Sequence, residues 1–253
     1  MTAQPMARLI GRTILITGAA GGIGRATADR AVAEGANVVL AERDVGLARQ
    51  ISAHFGDTAV GIGCDVTDAI SVQAAVTAAL DRFGRLDGVV HNAAAPSLDD
   101  TVVDLDLLQW HLELEVSLTG AFLLGKYAVP AMAKTGGSIV FLASQYGSVG
   151  TTTSPAYCAA KGGVVNLAKA MAVDHAAQGI RVNSLSPGPV GTSRLLQRWP
   201  DLAAADAALG PATLLGRIAR PAEIAAAAVF LLSDDASYIT GTDLRVDGGF
   251  TAR

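Results

Sequence analysis

Residues 13–24 read Thr-Ile-Leu-Ile-Thr-Gly-Ala-Ala-Gly-Gly-Ile-Gly, an apolar run that leads directly into a glycine-rich turn. A helix is predicted to begin at about residue 22, so the turn lies between a strand and a helix. Glycines there let the backbone turn tightly and approach a ligand closely. The N–H groups at the start of the helix can then bind a pyrophosphate. Such a turn could be purely structural, but its place after the first strand favours a dinucleotide cofactor.

The glycines of this turn depart from the usual Gly-x-Gly-x-x-Gly spacing. The sequence reads equally well as Gly18-x-x-x-Gly22-x-Gly24 and as Gly18-x-x-Gly21-x-x-Gly24. Either reading leaves small residues where the backbone must approach the cofactor. We therefore expect Gly18, Gly21, Gly22, Ile23 and Gly24 to bind it.

Short apolar runs alternate with alanine-rich helical stretches along the whole chain. The predicted strands are residues 13–16, 38–40, 59–62, 88–90, 138–141, 180–183 and 243–246. The predicted helices are residues 22–34, 44–54, 68–83, 103–134, 156–178 and 221–232. Strands that are apolar on both faces and separated by helices indicate a buried parallel sheet. We predict an α/β fold, a doubly wound (Rossmann) parallel sheet of about seven strands with helices on both faces.

Length, charge and hydropathy exclude several classes of protein. A chain of 253 residues without a linker or repeat is predicted to form a single domain, residues 1–253. The net charge of −4, without a Lys/Arg cluster, argues against nucleic acid as a partner. Hydrophobic residues make up 51% of the chain, but no run approaches the roughly 20 residues of a membrane helix. Because no apolar leader precedes the first strand, a cytoplasmic location is expected.

The spacing of cysteine and histidine argues against metal and disulfide chemistry. Cys64 and Cys158 form no C-x-x-C motif, and the four histidines stand far apart. We expect two small buried thiols and no metal site.

The end of the second predicted strand bears on the choice of cofactor. A carboxylate at Glu42 can accept from both ribose hydroxyls of NAD, whereas a 2′-phosphate would meet like charge. Arg43 leaves NADP open, because a guanidinium suits a 2′-phosphate. NAD is the prediction. After the third strand, Asp65, followed by Val66, could accept from an adenine amino group or could cap the next helix.

Tyr157 and Lys161 lie four residues apart in a predicted helix, and Ser144 follows the predicted strand at 138–141. Side chains at i and i+4 share a helix face, so an ammonium would lie beside a phenol. A phenol ionises at about pH 10 unaided and needs such help to exchange protons at neutral pH. The pair alone could be a coincidence on a helix surface. A hydroxyl at Ser144 could nevertheless orient a carbonyl or alcohol beside it.

Taken together, these segments resemble the short-chain dehydrogenase/reductase family in its short, single-domain branch, over nearly the whole chain. The motifs occur in the family's order: the turn at 17–24, Asp65, Asn92-Ala93-Ala94, Ser144, Tyr157-x-x-x-Lys161 and Asn183-Ser184-Leu185-Ser186-Pro187-Gly188-Pro189-Val190-Gly191-Thr192. The resemblance implies an oxidoreductase that interconverts a secondary alcohol and its ketone with NAD.

The resemblance also implies roles for individual residues. Tyr157 would be the general acid/base and Ser144 would fix the substrate oxygen. Lys161 would hold the nicotinamide ribose and lower the pKa of the phenol. Tyr157 and Lys161 would both contact the cofactor. The remaining cofactor contacts in this half of the chain would come from Asn92, Ala93, Ala94, Pro187, Gly188, Val190 and Thr192.

Two positions depart from the family's pattern. Ser117 stands where the family usually has an Asn that holds a helix kink and a water linked to the lysine. We expect Ser117 to remain part of the catalytic group with a perturbed proton relay. His91-Asn92-Ala93-Ala94 replaces the family's Asn-Asn-Ala-Gly. We expect His91 to be a core histidine at a strand end, and the backbone at Ala94 to be little strained.

The substrate is expected to lie between the strand ends and residues 192–220, which are interpreted as a lid or, alternatively, as an ordinary surface loop with a small helix. Its predicted walls are Ala95, Pro96, Ser97, Gln145, Tyr146, Pro189, Leu195, Leu196 and Trp199. Few charges fall there apart from Arg194, Arg198 and Asp201. A neutral substrate, small or cyclic, is therefore predicted.

Two other functions remain open on the sequence alone. One is an NADP-dependent carbonyl reductase that uses Arg43. The other is a non-catalytic protein that senses NAD(H), which the replacement at Ser117 favours and the retained Tyr157 and Lys161 oppose.

The resemblance implies a homotetramer. One face of the Tyr157 helix fits either a subunit interface or the covering of a sheet. It carries Ala160, Val164, Leu167, Ala168 and Met171.

Overall fold

Seven parallel strands form one sheet in the computed structural model, which describes residues 7–96 and 99–252. The strand order is β3-β2-β1-β4-β5-β6-β7. The chain starts at the centre, moves to one edge, and then crosses back to build the other half. In such a sheet the order reverses between β1 and β4, and a crevice opens there beyond the carboxyl ends of the strands.

The predicted α/β sheet is confirmed, with all seven strands in place. They are β1 Thr13–Thr17, β2 Asn37–Glu42, β3 Ala59–Gly63, β4 Gly88–His91, β5 Gly137–Leu142, β6 Ile180–Pro187 and β7 Asp243–Val246. Strand β6 runs four residues longer than the predicted 180–183. Its extension carries buried hydroxyls, and Ser184 and Ser186 both donate to the Asp243 carboxylate at 2.7 Å. These bonds let polar side chains lie inside the sheet.

In the described part of the chain, eight α-helices connect and cover the strands. They are α1 Gly22–Ala33, α2 Val45–Ala53, α3 Ala69–Phe83, α4 Leu107–Leu114, α5 Gly120–Met132, α6 Pro155–His175, α7 Leu202–Leu209 and α8 Pro221–Leu232. The helix predicted over 103–134 is shorter in the structure, covering 107–132, and contains a π-helical turn. The helix begins only after its cap Asp106, whose side chain accepts from the Leu108 N–H, and a π-helical turn at Glu115–Thr119 separates α4 from α5.

Alternate side chains of the strands point into two cores. Leu15 and Val39 pack on the side of α3, α5 and α6, whereas Ile14 and Val38 pack on the side of α1 and α8. Full burial of each such side chain is worth about 1.5–3 kcal/mol. The apolar face of α6 belongs to the first of these cores. It therefore covers the chain's own sheet, which is the alternative to a subunit interface that the sequence left open.

No helix among residues 7–96 and 99–252 is both long and apolar enough to cross a membrane.

Candidate active site

A cavity of about 880 Å³ lies beyond the carboxyl ends of the central strands. Six strands deliver residues to its wall: Gly18 after β1, Glu42 from β2, Asp65 after β3, Asn92 after β4, Ser144 after β5 and Pro187 from β6. Every predicted cofactor and catalytic residue lines this cavity except two, Gly24 and Ser117. The cavity therefore unites motifs that lie far apart in the sequence.

The glycine turn is held by close backbone contacts. Gly18 has φ of +60°, and a Cβ there would lie 2.9 Å from the backbone of Ala93. Asn92 Nδ2 donates to the carbonyl oxygen of Gly18 at 2.7 Å. A Cβ on Gly24 would lie 2.2 Å from the same carbonyl oxygen. Gly24 thus lets α1 pack onto the turn and lies off the cavity wall, so its predicted contact with a cofactor stays a prediction.

The start of α1 fits a pyrophosphate. Its N-cap residue is Gly21, and no described side chain caps the helix. The unsatisfied N–H groups of a helix's first turn attract an anion. Gly22 and Ile23 line the cavity, and a Cβ on Gly22 would lie 2.7 Å from the Thr192 side chain across it. A larger residue at position 22 would therefore collide with the Thr192 side chain.

The adenosine end of the cavity carries Glu42 and Asp65. Glu42 Oε1 accepts from the backbone N–H of Ala20 at 2.6 Å, which ties the carboxylate to the glycine turn. Asp65 Oδ1 accepts from the N–H and hydroxyl of Thr67 at 2.9 and 2.7 Å, and these bonds hold the pKa of that carboxyl below its usual range. The charge of Arg43 lowers the same pKa further.

The alternative that Asp65 caps the following helix is wrong. Asp68 is the N-cap of α3 and accepts from the N–H groups of Ile70 and Ser71. Neighbouring Cys64 is buried, and burial raises the pKa of its thiol to about 11. Such a thiol is a poor nucleophile at neutral pH.

Ser144, Tyr157 and Lys161 meet at the other end of the cavity. Tyr157 and Lys161 lie one turn apart on α6, with the Lys161 Nζ 5.9 Å from the centre of the Tyr157 ring. Lys161 Nζ donates to the carbonyl oxygen of Leu142 at 2.7 Å. Ser144 is hydrogen-bonded to Tyr157, and its Oγ also accepts from the N–H of Tyr146. A hydroxyl, a phenol and an ammonium therefore line one wall.

Electrostatics at this end involves a further cation, Arg194. Burial raises the pKa of Tyr157, and the hydrogen bond with Ser144 and the charge of Arg194 oppose that rise. The Arg194 guanidinium carbon lies 5.6 Å from the centre of the Tyr157 ring. Burial lowers the pKa of Lys161 to about 8, and Arg194 adds to this lowering. The groups that lower the phenol's pKa most are thus Ser144 and Arg194, whereas the sequence pointed to Lys161.

Ser117 lies inside the π-helical turn and is fully buried. It does not line the cavity, although its neighbour Val116 does. Within the described part of the chain, the Ser117 hydroxyl has no hydrogen-bond partner. Its predicted part in a proton relay therefore stays a prediction, and the structure places no contact between Ser117 and the cavity.

His91 is a fully buried side chain at the end of β4. Its Nδ1 lies 3.1 Å from the Thr17 hydroxyl. The backbone of Ser117 and Val116 raises the pKa of His91, and Nε2 has no hydrogen-bond partner among the described residues. Burial dominates and, with the charge of Lys161, lowers the pKa of His91 to about 3. The imidazole is therefore neutral in the folded protein.

This buried imidazole predicts acid sensitivity that can be removed by substitution. The unfolded state takes up a proton at His91 below about pH 6.5, whereas the folded state does so only near its pKa of about 3. Stability is therefore lost as the pH falls through this window, by roughly 2 kcal/mol between pH 7 and pH 5. His91→Asn should remove that part of the loss. Urea unfolding at several pH values measures it, with His54→Asn, at an exposed position, as the matched control.

Most of the residues predicted as substrate walls line the cavity. Ala95, Pro96, Gln145, Tyr146, Pro189, Leu195 and Trp199 line the cavity, as do Arg194 and Arg198. Leu196 is 48% exposed and off the wall, and Asp201 caps α7 instead. Ser97 lies outside the described residues. Sequence reasoning missed Leu112, Ser154, Ser193 and Leu209. Leu112 gave no signal because the interruption between α4 and α5 hid the register of its helix.

Within residues 7–96 and 99–252, no three His, Cys, Asp or Glu side chains are grouped so that they could hold a metal ion.

Comparisons with known proteins agree with this arrangement. Residues 18–251 match a family model described as "Enoyl-(Acyl carrier protein) reductase". The chain is 41% identical over 249 residues to a 2,5-dichloro-2,5-cyclohexadiene-1,4-diol dehydrogenase of Sphingobium indicum, covering 98% of this chain and 100% of that protein. It is 42% identical over 245 residues to a cis-4-hydroxycyclohexanecarboxylate dehydrogenase of Sinomonas cyclohexanicum, covering 95% and 97%. The crystal structure of a short-chain type dehydrogenase/reductase from Mycobacterium marinum superimposes with a TM-score of 0.90, at 34% identity and 98% coverage of both chains.

Proposed function

The chain belongs to the short-chain dehydrogenase/reductase family, and from that premise we propose that it is an NAD-dependent oxidoreductase that interconverts a secondary alcohol and its ketone. The family uses a nicotinamide dinucleotide, NAD or NADP. One observation carries the proposal: Ser144, Tyr157 and Lys161 meet at one end of a cavity whose other end holds the glycine turn and Glu42. The names of the two dehydrogenase relatives support an alcohol substrate.

Tyr157 moves the proton in this proposal. In oxidation its phenolate accepts the proton of the alcohol O–H, the carbinol C–H bond breaks with its electron pair, and the C=O bond forms. Ser144 donates to the substrate oxygen and holds it beside the phenol. Bound nicotinamide supplies the acceptor for the hydride. In reduction Tyr157 returns the proton to the oxygen, and its raised pKa in the free enzyme suits this acid role.

The cofactor would be held along the whole cavity. The adenosine half would lie against Glu42, Asp65 and Val66, and the pyrophosphate against the turn that contains Gly22 and Ile23. The nicotinamide half would be bordered by Asn92, Ala93, Ala94, Lys161, Pro187, Gly188, Val190 and Thr192.

NAD rather than NADP is favoured by the charge at the adenosine end. Glu42 lines the cavity, and a 2′-phosphate there would meet its like charge. Arg43 also lines it, but its charge acts on Asp65, which attracts the guanidinium. The NADP alternative therefore has less support than the sequence alone gave it.

Glu42→Ala should weaken the preference for NAD. We expect the wild-type enzyme to favour NAD over NADP in kcat/KM by about 100-fold, equivalent to about 2.7 kcal/mol. The variant should lose at least tenfold of that ratio, because NADP no longer meets the carboxylate. Steady-state kinetics with both cofactors and one secondary alcohol measure the ratio. An unchanged ratio would mean that Glu42 does not discriminate, and a collapse of NADP activity in Arg43→Ala would favour the NADP alternative.

Residues 192–220 are proposed to form the substrate lid of a single domain. Backbone hydrogen bonds of 2.8 Å tie the base of the segment, from Gly191 N–H to Ala219 O and from Ala219 N–H to Pro189 O. Leu195 and Trp199 line the cavity from this segment. The apolar lining supports a small or cyclic substrate.

We also propose that the protein forms a homotetramer and acts in the cytoplasm. Large apolar side chains stand exposed on α4 and α5, among them Leu107, Leu108 and Phe122. Contiguous exposed apolar surface commonly marks a subunit interface.

A further inference from the structure

We infer that the substrate is a secondary alcohol that carries a carboxylate, and that the guanidinium of Arg194 binds this anionic group. The inference rests on the proposed function and names the substrate class of the same site. The sequence predicts a neutral substrate because few charges occur in residues 192–220. Two of those charges, Arg194 and Arg198, line the cavity in the structure, and their placement favours an anion instead.

The charges that line the cavity are divided between its ends. Glu42 and Asp65 lie at the adenosine end, whereas Lys161, Arg194 and Arg198 lie at the end that holds Tyr157. Among the described residues, no carboxylate side chain lines that second end. The substrate therefore enters a region of net positive charge, and such a region attracts anions.

The nearest carboxylates are accounted for outside the cavity wall. Asp99 forms an ion pair with Arg198 at 2.8 Å. Glu113 is buried on α4 and lines a small separate pocket behind Tyr157. It raises the pKa of both Tyr157 and Lys161 from that side. Arg198 is thus paired with a carboxylate at the rim, and Arg194 lies beside the phenol.

Arg194 has the position and the chemistry to recognise a carboxylate during the reaction. Its guanidinium carbon lies 5.6 Å from the centre of the Tyr157 ring, so one small molecule can reach both the guanidinium and the phenol. A guanidinium carries five N–H donors and can bind a carboxylate in a bidentate manner while making other hydrogen bonds. Half-burial of the side chain strengthens such a bond relative to one in water.

A bound anion would also compensate the repulsion between the two cations. Arg194 lowers the pKa of Lys161, because the guanidinium repels the ammonium. A carboxylate on Arg194 relieves this repulsion and favours the charged form of Lys161. Recognition of the substrate and charging of the lysine are thereby coupled.

Binding of unreactive analogues tests the inference without relying on turnover. The probes are cyclohexanecarboxylate against cyclohexanecarboxamide, and butyrate against butyramide. Members of each pair match in shape and differ in charge, and all lack the hydroxyl. Calorimetric titration into the complex of the enzyme with NAD gives their Kd values. We expect each acid to bind at least about tenfold more tightly than its amide, as for a charge-assisted hydrogen bond.

Variants assign the preference to one residue. Arg194→Gln should reduce the acid-to-amide ratio to about one, and Arg194→Lys should restore part of it. Arg49→Gln removes the same charge from the exposed surface of α2 and should leave the ratio unchanged. Lack of acid preference in both pairs for the wild type, or an unchanged ratio in Arg194→Gln, overturns the inference. Oxidation of cyclohexanol with NAD tests the proposed function separately, so that either can fail alone.

Discussion

Tyr157→Phe should lower kcat/KM for oxidation of a secondary alcohol with NAD by a factor on the order of 10³, because the proton of the alcohol loses its acceptor. The phenol is hydrogen-bonded to Ser144, and in the proposed mechanism it exchanges the proton with the substrate oxygen. NAD binding should persist, since the glycine turn and Glu42 are untouched. The two readouts together separate a chemical defect from a binding defect.

Tyr127→Phe is the matched control for this substitution. Tyr127 is half-buried on α5 and packs against the core on the α3, α5 and α6 side of the sheet, away from the cavity. It loses the same hydroxyl and should keep full activity. Turnover that survives in Tyr157→Phe at wild-type levels would remove the acid/base role from Tyr157.

Lys161→Met should lower kcat/KM by about 10²–10³, as expected for loss of one preorganised charged donor at an active site. The expected defect combines a higher KM for NAD with a lower kcat, because the ammonium is proposed to hold the ribose and to favour the phenolate. The side chain of Lys169, exposed on the same helix, gives the control Lys169→Met, which should behave as wild type.

Thermal unfolding distinguishes this effect from a loss of fold. Burial lowers the pKa of Lys161 to about 8, below its value in the unfolded chain, so at pH 7 the charged lysine of the folded protein carries a cost in stability relative to the unfolded state. Methionine carries no charge to bury and should therefore not lower the Tm at pH 7. A variant with normal kinetics would contradict the role of the lysine, and a variant that fails to fold would point to the bond with Leu142 O as structural.

Much of the fold followed from local pattern. The apolar runs predicted all seven strands because strands buried on both faces need apolar residues throughout. The helix predicted over 103–134 missed the π-helical turn, because such a turn leaves no mark in the hydropathy pattern. The sequence predicts too short a strand β6, because Ser184 and Ser186 are polar and do not look like buried strand residues. In the structure both are buried, since each donates a hydrogen bond to the Asp243 carboxylate.

The site was predictable where a motif fixes spacing along the chain. Tyr157 and Lys161 share a helix face, so their proximity needs no knowledge of tertiary structure. Arg194 could not be assigned a role in the same way, because its approach to Tyr157 depends on how residues 192–220 fold over the strand ends. At position 24 glycine is required by a close contact with the Gly18 carbonyl rather than by a ligand, and this contact also depends on the fold.

The most direct test of the central claim is the transfer of deuterium from carbon to the nicotinamide. Secondary alcohols deuterated at the carbinol carbon, neutral and carboxylated, are incubated with the enzyme and NAD, and the products are analysed by mass spectrometry. The account predicts one deuterium in the reduced cofactor for each ketone formed, and none with Tyr157→Phe. NAD that binds to the enzyme but receives no deuterium from any of these alcohols would contradict it.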